Sequence, residues 1–216
     1  MVNLEVATTN SAPGKIERTR QKLVNAVRDE VNSSGDFNAE LIAHRASISP
    51  ATFYNHFATK DQARLAAYEN VMDSLVDLVA SRCRIEKLLD EGMHNFMANW
   101  VLSTAAFFSE NVALFRLAQA AFGRSKDMRT LFREHEAAVM EHYRRFIELG
   151  QAAKAIRDGD QQSMAQMLTI FAESWHHSLV QNLKPGDALH EERRVSMPAG
   201  QLGAYGRVPL RLGRQA

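Results

Sequence analysis

Residues 49–60, SPATFYNHFATK, set a threonine, a tyrosine, a histidine and a lysine on and beside a helix barely two turns long. Phe53 and Phe57, four apart, share one side of that helix and must turn inward. Ala51, Thr52, Tyr54, Asn55 and His56 are left on the outside. These residue types suit a nucleic-acid duplex. Thr52 can offer its methyl to a thymine or its hydroxyl to a base or phosphate. Tyr54 and His56 can donate to phosphate oxygens, which position a helix without reading sequence. Lys60, in the first turn of the next helix, adds a point charge beside free backbone amides. Ser49 caps the short helix, Pro50 suits its first position, and the small Ser-Pro-Ala start lets bases come close. An ordinary helical hairpin with a polar outer face would show the same residues.

The elements that must hold this helix are helical too. Apolar residues recur at three and four from residue 15 to 183, strand-like alternation is absent, and no repeat of fixed period appears. A first helix over 15–33 carries Ile16, Leu23, Val24, Val27 and Val31 on one side and ends at Ser33-Ser34-Gly35. Asn38 caps a short helix through Arg45, and Ser47-Ile48 make a tight turn. Thr59 and Gln62 form a capping box that opens a long helix to about Arg82, striped with Leu65, Tyr68, Met72, Leu75 and Val79. Segments 85–107 and 110–122 are dense in Leu, Met, Phe and Trp. Segment 126–149 has a wide stripe of Met128, Leu131, Phe132, His135, Val139, His142, Phe146 and Leu149. Segment 160–182 has another, of Met164, Met167, Leu168, Phe171, Trp175 and Leu179. Gly150 and the RDGD turn at 157–160 separate those two.

Two short helices across a tight turn are the helix-turn-helix arrangement, whose second helix enters the major groove. Over residues 15–72 the chain resembles the DNA-binding domain of the TetR/AcrR family of bacterial transcriptional regulators. RQKLVNAVRDEVNSSG matches the family's first helix, and IAHRASISPATFYNHFATK matches its recognition run. The resemblance implies DNA contacts from Thr52, Tyr54, His56 and Lys60. Ser49, Ala51 and Asn55 join them as neighbours, and Arg20 of the basic first helix as a looser phosphate contact. That helix holds Lys15, Arg18, Arg20, Lys22 and Arg28 against Glu17 alone up to residue 28, a pattern that a solvated face shares. Three departures stand out. Ser47 replaces the family's turn glycine, the link from Gly35 to Ile42 is about two residues short, and Glu30 falls where an apolar residue is usual and is expected to turn outward.

The expected fold is all-α. A flexible arm (1–13) precedes a three-helix DNA-binding domain (14–72, with the helix-turn-helix at 38–57). A helical ligand-binding and dimerisation domain (73–183) and a disordered tail (184–216) follow. The stripes of 126–149 and 160–182 exceed what one small core needs, so they are expected to pair across a two-fold axis as a homodimer. Met93, Phe96, Met97, Trp100, Phe107, Phe108 and Phe115 could line a pocket for a small-molecule inducer, or be plain core. The family default is a repressor released from a near-palindromic double-stranded operator. The alternative is a helical homodimer that acts through protein partners or small molecules without reading DNA.

Composition narrows the rest. The 216 residues are 45% hydrophobic and 24% charged, with net charge +1 and the single Cys83. One cysteine excludes an internal disulfide and cysteine-rich zinc sites, and suits a reducing cytoplasm. No run is long and apolar enough for a membrane span. No Gly-rich phosphate loop, G-x-S-x-G elbow or H-E-x-x-H is present, so neither an enzyme nor a cofactor is expected. His94, His135, His142, His176 and His177 lack metal-motif spacing, and no metal is expected.

Overall fold

A computed structural model describes residues 14–182, which form eight helices. They are α1 (Lys15–Ser34), α2 (Ala39–Arg45), α3 (Pro50–His56), α4 (Lys60–Arg82), α5 (Ile85–Glu110), α6 (Val112–Phe122), α7 (Lys126–Ala152) and α8 (Gln161–Asn182). The arm and the tail lie outside the described residues.

Local chemistry sets the ends of the first four. Gly35 stops α1 with a left-handed φ of 83°, and its amide donates to Val31 O. Asn38 accepts from Glu40 N at 2.8 Å, Ser49 from Thr52 N at 3.2 Å and Thr59 from Gln62 N at 3.2 Å. Gln62 reaches back to accept from Ala58 N at 2.9 Å, one residue before the expected partner of a capping box. Ser47 adopts φ 57°, as the family's glycine position requires. Ile48 N bonds Ala43 O at 2.9 Å, so the turn meets its own hydrogen-bonding needs.

Four sequence expectations are corrected. Glu30 turns inward, 7% exposed, and its carboxylate meets Arg45 of α2. An apolar position has become half of an ion pair that ties α1 to the end of α2. Ile16 is 77% exposed, because α1 begins a full turn before its neighbours reach it. Segment 85–107 is not one straight helix, since Gly92 breaks it with φ 73° and ψ 158°. Gly150 does not end α7. It lies inside the helix, where a Cβ would come within 2.5 Å of Ile156, so its missing side chain lets the 153–160 connection fold back.

One apolar core runs from Leu23 on α1 to Val180 on α8. The long α4 packs on α1 at one end and on α7 at the other, and so belongs to both halves. A second link is polar. Asn32 of α1 donates to Asn111 Oδ1 and accepts from Leu114 N, both at 3.2 Å. Leu114 N is among the first amides of α6, which no helical carbonyl can reach, and Asn111 at the helix cap makes no side-chain capping bond. Asn32 therefore caps α6 from the other half of the protein. α5 and α6 bend by 76° at this point, and no single helix among the described residues is long and apolar enough to cross a membrane.

Candidate nucleic-acid interface

α3 is held from beneath by aromatic packing. Phe53 is fully buried and Phe57 nearly so. The Phe53 ring meets Phe37 at 6.2 Å, Phe57 at 5.6 Å and the Tyr54 ring edge-on at 5.3 Å and 85°. This fixes the helix in rotation. Ser49, Pro50, Ala51, Tyr54 and Asn55 are exposed, while Thr52 and His56 are half-buried at the borders. Tyr54 is half exposed, its hydroxyl unencumbered among the described residues while its ring leans on Phe53.

Ser49 and Thr52 share a hydroxyl–hydroxyl bond of 2.9 Å, and Ser49 Oγ also accepts from Thr52 N. The pair holds two hydroxyl protons and uses one of them. One proton remains to donate to a phosphate or base, and the Thr52 methyl stays available for apolar contact.

The lysine is less free than its sequence position implies. Lys60 Nζ lies 3.3 Å from Asp36 Oδ2 and 4.9 Å from the centre of the Phe37 ring. Arg64 bonds the same Asp36 at 2.7 Å and Asp61 at 2.7 Å. Arg64 first, then the Phe37 amide and Lys60, hold the Asp36 carboxyl at about 2. Two cations and two carboxylates sum to zero here, so a phosphate would have to win Lys60 from Asp36. Exposed pairs are worth only about 0–1 kcal/mol, and that exchange is cheap. Asp36 sits in the shortened 35–42 link, which brings it over α4.

Arg20 of α1 sets its guanidinium 5.6 Å from the centre of the Phe57 ring, just past the end of α3. Ser49, Ala51, Tyr54 and Asn55 are thus exposed on and beside α3, with Thr52 and His56 half-buried, Lys60 in the first turn of α4 and Arg20 against Phe57. Sequence reading did not single out the open groove of about 440 Å³ between α1 and the α2–α3 turn, lined by Lys22, Asn25, Arg45 and Ser47 among others. Spacing along one helix carries no signal for a groove shared by two.

The residues proposed to line a pocket divide by location. Phe96 stacks on Phe146 at 5.1 Å and 9°, and Phe115 closes an aromatic group with Phe107, Phe108 and Tyr68. Trp100 is 3% exposed, whereas Met93 and Met97 lie on the outer face of α5, 41% and 36% exposed. Phe107 alone of the set borders the open groove of about 450 Å³ between α4 and α5, beside Leu78, Arg82 and Ser103. On α8, burial and then the charge of Glu136 push Glu173 up to about 7.

No family model matches the sequence, and no curated protein matches it. Solved structures do. One, from Mesorhizobium loti MAFF303099 and described as a TetR-family transcriptional regulator, superposes with a TM-score of 0.66 at 18% identity. It covers 79% of this chain and 87% of its own. Another with the same description, from Rhodococcus sp., has a TM-score of 0.57 at 20% identity, over 88% of this chain and 97% of its own. The chain is therefore similar in fold to TetR-family regulators: a helix-turn-helix unit carried on a larger helical body.

Proposed function

We propose that this chain is a sequence-specific DNA-binding transcriptional regulator that acts as a homodimer and answers to a small molecule. The carrying observation is α3 itself. Two buried phenylalanines fix its rotation, a serine caps it, and its small and polar face is presented outward at the tight turn of a helix-turn-helix. Thr52, Asn55 and Ala51 read or approach bases, and Ser49, Tyr54, His56, Lys60 and Arg20 hold phosphates. Repression, with release by the ligand, follows the family resemblance.

The dimer reading draws support from α8, where Met167, Ile170 and Phe171 are 65%, 57% and 46% exposed, and from Leu149 on α7. Exposed apolar side chains clustered on one helix face call for a cover. A second copy supplies one and sets two recognition helices about 34–36 Å apart, one turn of duplex. A ligand in the C-terminal half that favours a different spacing lowers operator affinity in proportion to that preference. Phe96, Trp100 and Phe107 of α5 and Phe115 of α6 surround the region it would enter.

The test is selection from a random duplex pool at about 150 mM salt, where non-specific phosphate binding is partly suppressed. Wild type should enrich a near-palindromic site, and the Thr52→Ala, Tyr54→Ala double variant should not. A folded dimer that enriches nothing, even after refolding to strip any co-purified ligand, sinks the DNA reading. It leaves a helical dimer that works through other partners.

A further inference from the structure

The interior of the C-terminal half holds a polar feature that the DNA reading does not use. Trp100 of α5, Tyr143 of α7 and His176 of α8 each carry a buried polar atom that closes no full hydrogen bond: indole Nε1, hydroxyl Oη and ring Nε2. The indole N–H nonetheless lies near enough to Tyr143 and Cys83 to offset part of the rise in pKa that burial causes in both. Trp100 and Tyr143 are 3% and 1% exposed. Their rings lie 6.4 Å apart, and the His176 ring lies 6.4 Å from Trp100. Aromatic walls enclose them. Phe108 stacks on His176 at 4.0 Å, and Trp175 lies 5.2 Å from His176 and 6.1 Å from Trp100. Buried polar groups are nearly always satisfied, so three under-satisfied groups from three helices within one aromatic nest require an explanation.

We propose that Trp100, Tyr143 and His176 form the recognition point for the hydroxyl group of an uncharged aromatic ligand, a phenol or aryl alcohol. The proposal rests on the reading of the chain as ligand-responsive and names the ligand's chemistry. The donor inventory suits a hydroxyl. Indole N–H can only donate, phenol O–H donates or accepts, and a neutral imidazole offers one nitrogen of each kind. A ligand hydroxyl can accept from Trp100 and Tyr143 and donate to His176, which meets all three. With the proton of His176 on Nδ1, Nε2 is an acceptor, and a carbonyl or ether oxygen has no proton to give it.

The nest also rejects charge. Burial holds His176 down to about 3 and pushes the adjoining Cys83 thiol up to about 12. Burial likewise raises Tyr143. No group at this point carries a charge at neutral pH to pair with an ionised ligand, whose desolvation would then go uncompensated. The closed nest leaves its polar atoms unmet, whereas an opened one filled by an aryl alcohol does not. The ligand therefore favours the open arrangement of α5, α7 and α8, and can shift the population.

Both tryptophans of the chain, Trp100 and Trp175, lie in the nest, so intrinsic fluorescence reports on it directly. The full-length protein is titrated with phenol, toluene and benzoate, reading tryptophan emission and thermal midpoint. Phenol is expected to bind saturably near about 1 mM, about tenfold more tightly than toluene, the increment of one or two net hydrogen bonds. Benzoate is expected not to bind. Tyr143→Phe should keep the fold, with a thermal midpoint equal to or above wild type because it removes an under-satisfied hydroxyl, and should lose most of the preference for phenol over toluene. No saturable phenol response, or an unchanged preference in Tyr143→Phe, overturns the proposal in favour of a nest that holds only internal water. Operator binding is measured in parallel, so loss of the DNA reading and loss of this one are separately visible.

Discussion

Replacing Asn32 with alanine tests whether the two halves of the chain are held by a polar clamp as well as by α4. The side chain makes two bonds at 3.2 Å, one accepted from Leu114 N and one donated to Asn111 Oδ1. Leu114 is 1% exposed and Asn111 8%, so water does not freely replace what is lost. An orphaned buried amide costs about 1–3 kcal/mol, and the second bond adds about 1 kcal/mol. Asn32→Ala is thus expected to lower stability by about 2–4 kcal/mol, a large share of the roughly 5–15 kcal/mol a domain possesses. Asn32→Asp keeps the acceptor, at a helix N-terminus that favours negative charge, but loses the donor, so about 1 kcal/mol is expected. Urea unfolding followed by circular dichroism gives both numbers from the midpoint and slope. An alanine variant within about 0.5 kcal/mol of wild type would refute the clamp, because surface substitutions alone produce changes of that size.

Other consequences follow from the same geometry. Arg45→Ala leaves Glu30 buried without its partner and should destabilise by about 2–3 kcal/mol, while Glu30→Leu should stay within about 1 kcal/mol of wild type; thermal melts that reverse this order would contradict the ion-pair account. His176, held down to about 3, stays neutral while the unfolded chain takes up a proton below about 6.5, so its contribution is present at neutral pH and lost as pH falls from about 6.5 toward 3. Glu173, raised to about 7, acts oppositely, its contribution being present at low pH and lost as pH rises from about 4.5 through 7; solvent access makes it the smaller of the two. Stability measured by urea between pH 4 and 8 should therefore fall more steeply toward acid in Glu173→Gln, and fall toward neutral in His176→Phe. Identical profiles would discount both burial effects. Met167→Glu with Phe171→Glu alters only exposed side chains of α8, so helicity should persist while sedimentation shows a monomer; a dimer that survives would place the interface elsewhere.

The helix-turn-helix was legible because its determinants act over a few residues. Asn38, Ser49, Thr59 and Gly35 meet backbone groups two to four positions away, and the Phe53–Phe57 spacing alone says which side of α3 turns inward. Ser47 was legible as a left-handed position only through the family glycine it replaces. The contacts that modify this site were not legible. Asp36 reaches Lys60 and Arg64 across 24 and 28 residues, and nothing in the local pattern of a shortened loop announces a neutralised lysine. Glu30 was expected outside because a carboxylate prefers water; Arg45, fifteen positions on, made its burial tolerable.

By itself, then, the sequence determined where α2, α3 and α4 begin, where α1 ends and which face α3 buries, since caps and short-range spacing are properties of a single segment. Tertiary structure decided which segments meet. It brought Asn32 to α6 across 79 and 82 residues, admitted the 153–160 connection over Gly150, and gathered Trp100, Tyr143 and His176 from three helices into one nest. Periodicity marks a residue as inward-facing, but its partner is set by the angle and offset at which whole helices pack, and that depends on every side chain along both.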